Sequence, residues 1–455
     1  MNFEEIDIKI SPFETFVKLS EKFDDIYILE SILGHEKLSE FSYIGFNPSL
    51  KITLDNNTIR VSKDDKENAT DVSSSYDLFS NLREILKENH VDNDFNRLIG
   101  GLVGFISYDI VRCWEDISDN YTKRTYADFQ FGLFNEGIIF DHERNKSYYY
   151  YSGQNNLEEI LESLNLQREI GTIDYTEPTS NIDKEKFEKN VDVAKEYVRS
   201  GDIFQVVLSR KYEFEITGDL LSIYKALRTI NPSPYMYYYK TKNVNIIGSS
   251  PEMLVRVTGN QIETFPIAGT RPRDNDEERN KQLTDELLSD EKERAEHVML
   301  VDLARNDVGQ IAKFGSVKVP EFMQVHQFSH VQHIVSKVIG ELKKDRDCFD
   351  AIRAIFPAGT VSGAPKIRAM EIIQELEEES RGPYAGALGY FSKNMCADFA
   401  ITIRTLVVKG NDAYIQAGAG IVADSIPERE WFETEQKASA LIAALEMAKK
   451  GVSIK

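Results

Sequence analysis

Several things are scarce in this 455-residue chain, and each scarcity excludes something. There are three cysteines, Cys113, Cys348 and Cys396, far apart and in no C-x-x-C pair. That excludes a disulfide framework or zinc ribbon and fits a reduced, cytoplasmic protein. No apolar run reaches the ~20 residues needed to cross a bilayer, and the acidic start MNFEEIDIKI lacks the apolar stretch of a signal peptide. Basic charge is short: 54 Lys and Arg face 75 Asp and Glu, a net charge of -21. Nucleic acid and anionic membranes, which need clustered cations, are poor partners for such a surface. An anionic ligand would have to be held by local donors acting against the overall field. Internal repeats and low-complexity tracts are absent too.

What is present suggests two domains or one large composite, since the length exceeds what one core normally serves and 41% of residues are apolar. The first 150 residues read as strands broken by Gly and Asn, in YIGFNPSLKITL (43–54), LIGGLVGFISYDIV (98–111) and FGLFNEGIIF (131–140). A short helical pattern, LEEILESL (157–164), precedes the polar stretch TEPTSNID, which places a boundary between 1–176 and 183–452. A helix over 184–201 follows, with Phe187, Val191, Ala194 and Val198 on one face and Gly201 as its C-cap. Strand-like runs come next, then long helices around 275–306, 364–378 and 428–450, an order that argues α+β.

Two of these helices carry paired carboxylates. In DEKERAEHVMLVDLARND, Glu293 and Glu296 share a face next to a run that turns apolar after Ala295, which predicts a buried helix. Glu430 and Glu433 repeat the spacing after Pro427, with Lys437 one turn on. Four carboxylates with no His or Cys among them suit a hard cation, and Mg²⁺ shared with a substrate fits best. The alternative is two solvated helix faces with ordinary ion pairs.

Other stretches offer backbone or isolated charge. AGTVSGAPK (358–366) reads as a glycine-rich turn entering a helix, an anion site without the Walker spacing. QAGAGIVAD (416–424) reads as a tight turn where amides meet a ligand rather than as a dinucleotide fingerprint. His330 and His333, three apart in a strand-like run, face opposite sides and cannot share a metal. Arg404, amid apolar strand residues, calls for a ligand carboxylate or an internal salt bridge. In FPIAGTRPR (265–273), Gly269 permits close approach and Thr270, Arg271 and Arg273 supply donors, while Ala268 supplies no chemistry.

Taken together, GDIFQVVLSR, NPSPYMYYY, GSSPEMLV, FPIAGTRPR, AEHVMLVDLARND, AGTVSGAPK, RGPYAGALGYF and QAGAGIVADSIPEREWFETEQKA resemble the chorismate-utilising enzymes across most of 200–440. YILESILG and FSYIGFNP resemble the amino-terminal region of the family's anthranilate-forming members. The resemblance implies an α+β sandwich of antiparallel sheets with helices packed between and around them. Its catalytic part would be 183–452, with a regulatory contribution from 1–176. It implies Glu296 and Glu433 as the main Mg²⁺ ligands, with Glu293 and Glu430 beside them. Gly269, Thr270, Tyr384, Arg404, Lys437 and the Gly418, Ala419, Gly420 segment would hold chorismate. Glu252 would be the general acid, with His333 and Thr360 at the reaction centre.

The same resemblance bears on the nucleophile. Many aminodeoxychorismate synthases read P-I-K-G-T where Ala268 stands here, and their lysine attacks the ring. Isochorismate and salicylate synthases place a water-activating lysine where Gln205 stands. The two absences favour free ammonia and anthranilate as product. No glutaminase signature is present, so a separate glutamine amidotransferase subunit would be the partner. Glu30, Ser31, Pro234, Tyr235 and Met236 match an inhibitory tryptophan site. Two readings compete: an aminodeoxychorismate synthase component I, and a non-catalytic protein that binds tryptophan or chorismate.

Overall fold

The computed structural model describes residues 1–32, 40–63, 66–72, 77–93, 95–118, 121, 124–274, 276–327 and 331–451. Among these residues the strands form two antiparallel sheets, of thirteen and twelve strands, with helices packed against them. The α+β sandwich is thus the observed architecture. No described helix is long and apolar enough to cross a membrane.

Both sheets draw on both ends of the chain. In the first, Lys146–Tyr151, Glu136–Asp141, Phe41–Phe46 and Ile26–Glu30 lie side by side, and Ile26–Glu30 pairs with Tyr235–Lys240. Asn245–Ser250, Thr405–Lys409, Asp412–Ile421 and Gln205–Gly218 continue it. In the second, Gly101–Ile106 joins Ala387–Ser392, with Leu388 opposite Phe105. The boundary near 176–183 therefore divides the sequence but neither sheet. Aromatic rings from the two sheets meet in the core between them: Tyr27 on Phe134 at 4.7 Å, Tyr43 on Tyr390 at 6.0 Å, Phe105 on Tyr239 at 6.2 Å. Such pairs add about 0.5–1.5 kcal/mol each beyond their buried area. A second core fills the other face of the first sheet, beneath the Pro12–Lys22, Leu221–Ile230 and Pro427–Lys450 helices.

Consecutive strands repeatedly change sheet. Asn245–Ser250 belongs to the first and Met253–Thr258 to the second; Ala397–Ile401 belongs to the second and Thr405–Lys409 to the first. The corners between them are Pro251–Glu252 and 402–404. Arg404, read from sequence as a strand residue, instead turns the second corner with φ +49°.

The helices over 184–201 and 157–164 form as expected, the first capped by Asp183 and ended by Gly201 at φ +84°. The run 275–306 is two helices, Glu277–Ser289 and Glu291–Ile311, because Asp290 leaves the helical conformation to accept the Lys292 and Glu293 amides. The second is not a buried helix: Val298 is 40% exposed, and only His297, Leu300, Val301, Asp307, Val308 and Ile311 are inside. Among the described residues four helices of eight residues or more went unread in the sequence: Pro12–Lys22, Ser80–Glu88, Leu221–Ile230 and Cys348–Ile355. One, Pro12–Lys22, is signalled by the Ser11–Glu14 capping box; Ser80–Glu88 has no side-chain cap.

One buried cation fastens the sheets to the segments beside the corners. The Arg381 guanidinium, wholly enclosed, donates to Glu377 at 2.6 and 2.8 Å, to the Val207 carbonyl at 2.7 Å and to the Val361 carbonyl at 2.8 Å. Glu377 in turn accepts the Ser209 amide at 2.8 Å. Removing one partner leaves a buried charge uncompensated. Arg381→Met is expected to cost about 3–5 kcal/mol in urea denaturation, and adding Glu377→Leu to recover part of the loss; an additive double variant would contradict the pairing.

Candidate functional site

The two corners lie against each other. The Ser249 amide donates to the Arg404 carbonyl at 3.2 Å, and the Ile401 amide to the Glu252 carbonyl at 3.0 Å. Glu252 Oε2 accepts from Thr360 Oγ1 at 2.8 Å, from the short helical turn Gly359–Val361. Burial raises the Glu252 carboxyl above the usual range; the Thr360 hydroxyl, Arg404 and Lys437 pull it partly back. The Arg404 guanidinium has no hydrogen bond or ion pair among the described residues, and burial depresses its pKa with only Glu252 opposing. An arginine held this way has its full set of donors open to a carboxylate. The salt bridge that the sequence left open for it is not made.

His333 stands on the Val331–Glu341 strand and is buried, with Nδ1 2.8 Å from the Gly269 carbonyl and 3.1 Å from Thr270 Oγ1. The carbonyl can only accept, so Nδ1 carries the proton. Burial lowers the His333 pKa to about 4 and keeps the ring neutral. His330 lies outside the described residues. Gly269 has φ +68°, and a side chain there would meet Leu287 Cδ1 at 2.9 Å and Glu293 Oε2 at 3.1 Å. Only glycine fits. Arg271, expected to face an anionic ligand, pairs instead with Asp290 at 2.9 Å and Glu293 at 3.2 Å.

Gly418, Ala419 and Gly420 are strand residues within Asp412–Ile421, not the tight turn expected. The glycines are required by crowding. A Gly418 side chain would lie 2.7 Å from the Tyr384 hydroxyl, and one at Gly420 would lie 2.4 Å from Gln205 Nε2. Ala419 is fully buried. Lys437 reaches the Gly418 carbonyl at 2.9 Å, and Gln205 Nε2 donates to Glu296 Oε1 at 3.2 Å while its Oε1 has no partner. AGTVSGAPK resolves into that helical turn, a short bridge at Gly363–Ala364 and a helix from Lys366.

Glu252 and Thr360 line a cleft, and Lys437 acts on Glu252 as well as on the acidic pairs. Burial first, then Glu293, raises the Glu296 pKa; burial first, with a push from Glu433, raises that of Glu430. Lys292 and Lys437 act on both Glu296 and Glu430, so carboxylates of the Glu291–Ile311 and Pro427–Lys450 helices feel the same two cations. Glu433 is paired with Lys437 at 2.7 Å. Among the described residues no three His, Cys, Asp or Glu side chains converge closely enough to hold a metal. The donor set is nonetheless all oxygen and electrostatically strained, which is the chemistry a hard divalent cation relieves.

A second cleft, of ≈ 460 Å³ with its open mouth included, brings together all five residues of the expected effector site: Glu30, Ser31, Pro234, Tyr235 and Met236. Glu30 is already neutralised, accepting from Arg228 Nε at 2.6 Å and Tyr224 at 2.8 Å. Ser31 Oγ is buried and unpartnered. Sequence reading missed Arg256 and Asp398 in this wall, joined at 2.7 Å. The signal was there, since each is a charge inside an apolar strand, MLVRVT and ADFAI.

Residues 26–443 match the family model described as chorismate binding enzyme. A protein named anthranilate synthase component 1 from Methanothermobacter marburgensis is 48% identical over 437 residues, spanning 96% of this chain and 93% of its own. One of the same name from Aquifex aeolicus is 44% identical over 460 residues, spanning 96% and 92%. The crystal structure of anthranilate synthase component I from Streptococcus pneumoniae TIGR4 superposes with TM-score 0.79 at 38% identity, over 90% of this chain and 94% of that one. The menaquinone-specific isochorismate synthase MenF of Escherichia coli, at 19% identity and TM-score 0.74, shares the fold.

The geometry makes Glu252 a carboxyl with a displaced titration. In carboxyl-carbon NMR of glutamate-labelled protein, assigned by Glu252→Gln, its midpoint is expected above the ordinary glutamate value. Thr360→Val, which removes a donor favouring the charged form, is expected to move it further up. A midpoint at or below the ordinary value would contradict the burial.

Proposed function

The chain belongs to the chorismate-binding enzymes, and from that premise we propose that it performs the reaction of an anthranilate synthase component I: chorismate and ammonia to anthranilate, pyruvate and water. The observation that carries this reading is the meeting of Glu252, Thr360 and an Arg404 unpaired among the described residues at two adjoining sheet corners.

Arg404 takes a substrate carboxylate, with the Gly418–Gly420 backbone and Tyr384 shaping the wall against the ring. Lys437 is freed for the same anion if Glu433 turns to a cation. Mg²⁺, when bound, would be held by Glu296 and Glu433 with Glu293 and Glu430 beside them, and would neutralise these carboxylates and draw in the doubly anionic substrate. Ammonia forms a bond to ring C2 as the ring double bonds shift and the C4–O bond breaks; Glu252 in its acid form gives its proton to the departing oxygen, which leaves as water. The raised pKa of Glu252 keeps that acid form populated. In the second step the C2–H proton leaves and the C3–O bond breaks. The enolpyruvyl group then departs to become pyruvate, and the ring aromatises. His333, with Nδ1–H fixed on the Gly269 carbonyl, stands neutral at the reaction centre, and an anionic substrate raises its basicity from about 4.

Two neutral residues support ammonia as the nucleophile. Ala268 is buried opposite Ile334 and cannot attack the ring, and Gln205 cannot act as a base toward water. Burial pushes the Cys348 and Cys396 thiols up, away from a glutaminase nucleophile. The ammonia is therefore assigned to a separate glutamine amidotransferase subunit. Incubated with chorismate, Mg²⁺ and ammonium, the chain is expected to release fluorescent anthranilate, and Glu252→Gln to lower turnover about 10²–10⁴-fold. A product that keeps the enolpyruvyl group would instead make it an aminodeoxychorismate synthase.

The second cleft supports feedback by tryptophan. Its aromatic and Met surfaces suit an indole, and the orphaned Ser31 hydroxyl suits the amino-acid head. Ser31→Phe fills the cleft and is expected to raise the half-inhibiting tryptophan concentration at least about tenfold, or ~1.4 kcal/mol, with the uninhibited rate little changed. Undiminished inhibition would count against this site.

A further inference from the structure

Ser249 ends the strand Asn245–Ser250 and is completely enclosed. Its hydroxyl donates to the Asn231 carbonyl, accepts from Asn231 Nδ2 at 3.1 Å and lies 2.8 Å from Ser233 Oγ. Its amide donates to the Arg404 carbonyl at 3.2 Å. In register it stands opposite Met236, while its neighbour Ser250 stands opposite Tyr235. The side chain of Ser249 thus grips the loop that leads into Pro234 and Met236 of the cleft wall, and its backbone pairs with Met236 and with the Arg404 corner. The grip continues beyond Glu252: the Tyr235 hydroxyl donates to Asp398 at 2.9 Å, and Asp398 takes Arg256 Nε at 2.8 Å.

We infer that Ser249 is a positioning residue: it fixes Arg404 for the substrate, and through Asn231 and Ser233 it carries the state of the Ser31–Met236 cleft to that arginine. The inference rests on the effector reading above. The Arg404 side chain has no partner among the described residues, so the aim of its guanidinium follows its backbone. That backbone sits at φ +49°, where the amide of Ser249 holds its carbonyl. A guest wedged against Pro234 and Met236 shifts the Asn231–Ser233 loop, and hydrogen bonds near 3 Å do not survive stretching by much more than half an ångström. Ser249 then moves with the loop or loses it. Either way the loop controls where Arg404 points.

The test uses the full chain with ammonium as nucleophile, chorismate kinetics with and without tryptophan, and calorimetric tryptophan binding, for the native protein, Ser249→Ala and Ser233→Ala. Native protein is expected to bind tryptophan and to show a raised chorismate KM in its presence, within the ~5–150-fold span of ordinary coupling. In Ser249→Ala the tryptophan-free KM is expected to rise about tenfold with kcat changed less than about threefold; tryptophan still binds, and its effect on KM falls at least about fivefold. Ser233→Ala is expected to weaken the coupling alone, and decides that point if Ser249→Ala does not fold. Full coupling in both variants, or a kcat loss without a KM change in Ser249→Ala, would overturn the inference. Native protein that binds no tryptophan would overturn the effector reading and the coupling, leaving the Ser249→Ala KM to decide the positioning role.

Discussion

The site depends on one constraint: two strands leave their sheets at the same place, in opposite directions, and the corners are tied by backbone hydrogen bonds. Ser249 to Arg404 and Ile401 to Glu252 are the ties. Neither Glu252 nor Arg404 belongs to a sheet ladder, so each leans on its neighbour corner and the chain on either side, and Glu252 also on Thr360. The Glu252 carboxyl and the Arg404 guanidinium are thereby kept at one place without meeting as a salt bridge, which would have neutralised both. A thirteen-stranded and a twelve-stranded sheet supply the rigidity that two short corners lack.

Around the corners the chain manages a surplus of negative charge by local pairing. Arg271 answers Glu293, Lys437 answers Glu433 and Arg381 answers Glu377, while Glu296 has only the amide of Gln205. The unequal pairing matters chemically. Glu377 is locked to a buried cation and Glu433 to an exposed one that it could exchange, whereas Glu296 and Glu430 are raised in pKa by burial and by their acidic neighbours. The same contrast separates Arg381, saturated by four acceptor contacts, from Arg404, which has none among the described residues.

Residue spacing made the carboxylate pairs, the capped helix 184–201 and the α+β order legible, because helix periodicity and caps are local signals. Arg404 and the glycines at 418 and 420 were misplaced for the opposite reason. Whether TIRT continues a strand or turns a corner depends on which sheet each flanking strand joins, and that is settled far away in sequence. The glycines looked like a turn, yet they are small because Tyr384 and Gln205 crowd the strand from other elements. Likewise Arg271 reads as a ligand donor until Asp290, nineteen residues on, is seen to break one helix, start the next and take its charge. The wall of the second cleft was half legible: Glu30 and Met236 were found by motif, but their direct opposition across a strand pair, and the Arg228 that neutralises Glu30, are products of the fold.

The mixed parentage of both sheets also bears on how the polypeptide is made. Ile26–Glu30 finds its neighbour only once Tyr235–Lys240 has emerged, and Gly101–Ile106 waits for Ala387–Ser392, nearly three hundred residues later. During synthesis these early strands leave the ribosome as open, apolar edges with nothing to zip onto, the state in which chains stick to one another. High contact order of this kind slows folding and makes nearly the entire nascent chain a prerequisite for the first stable product.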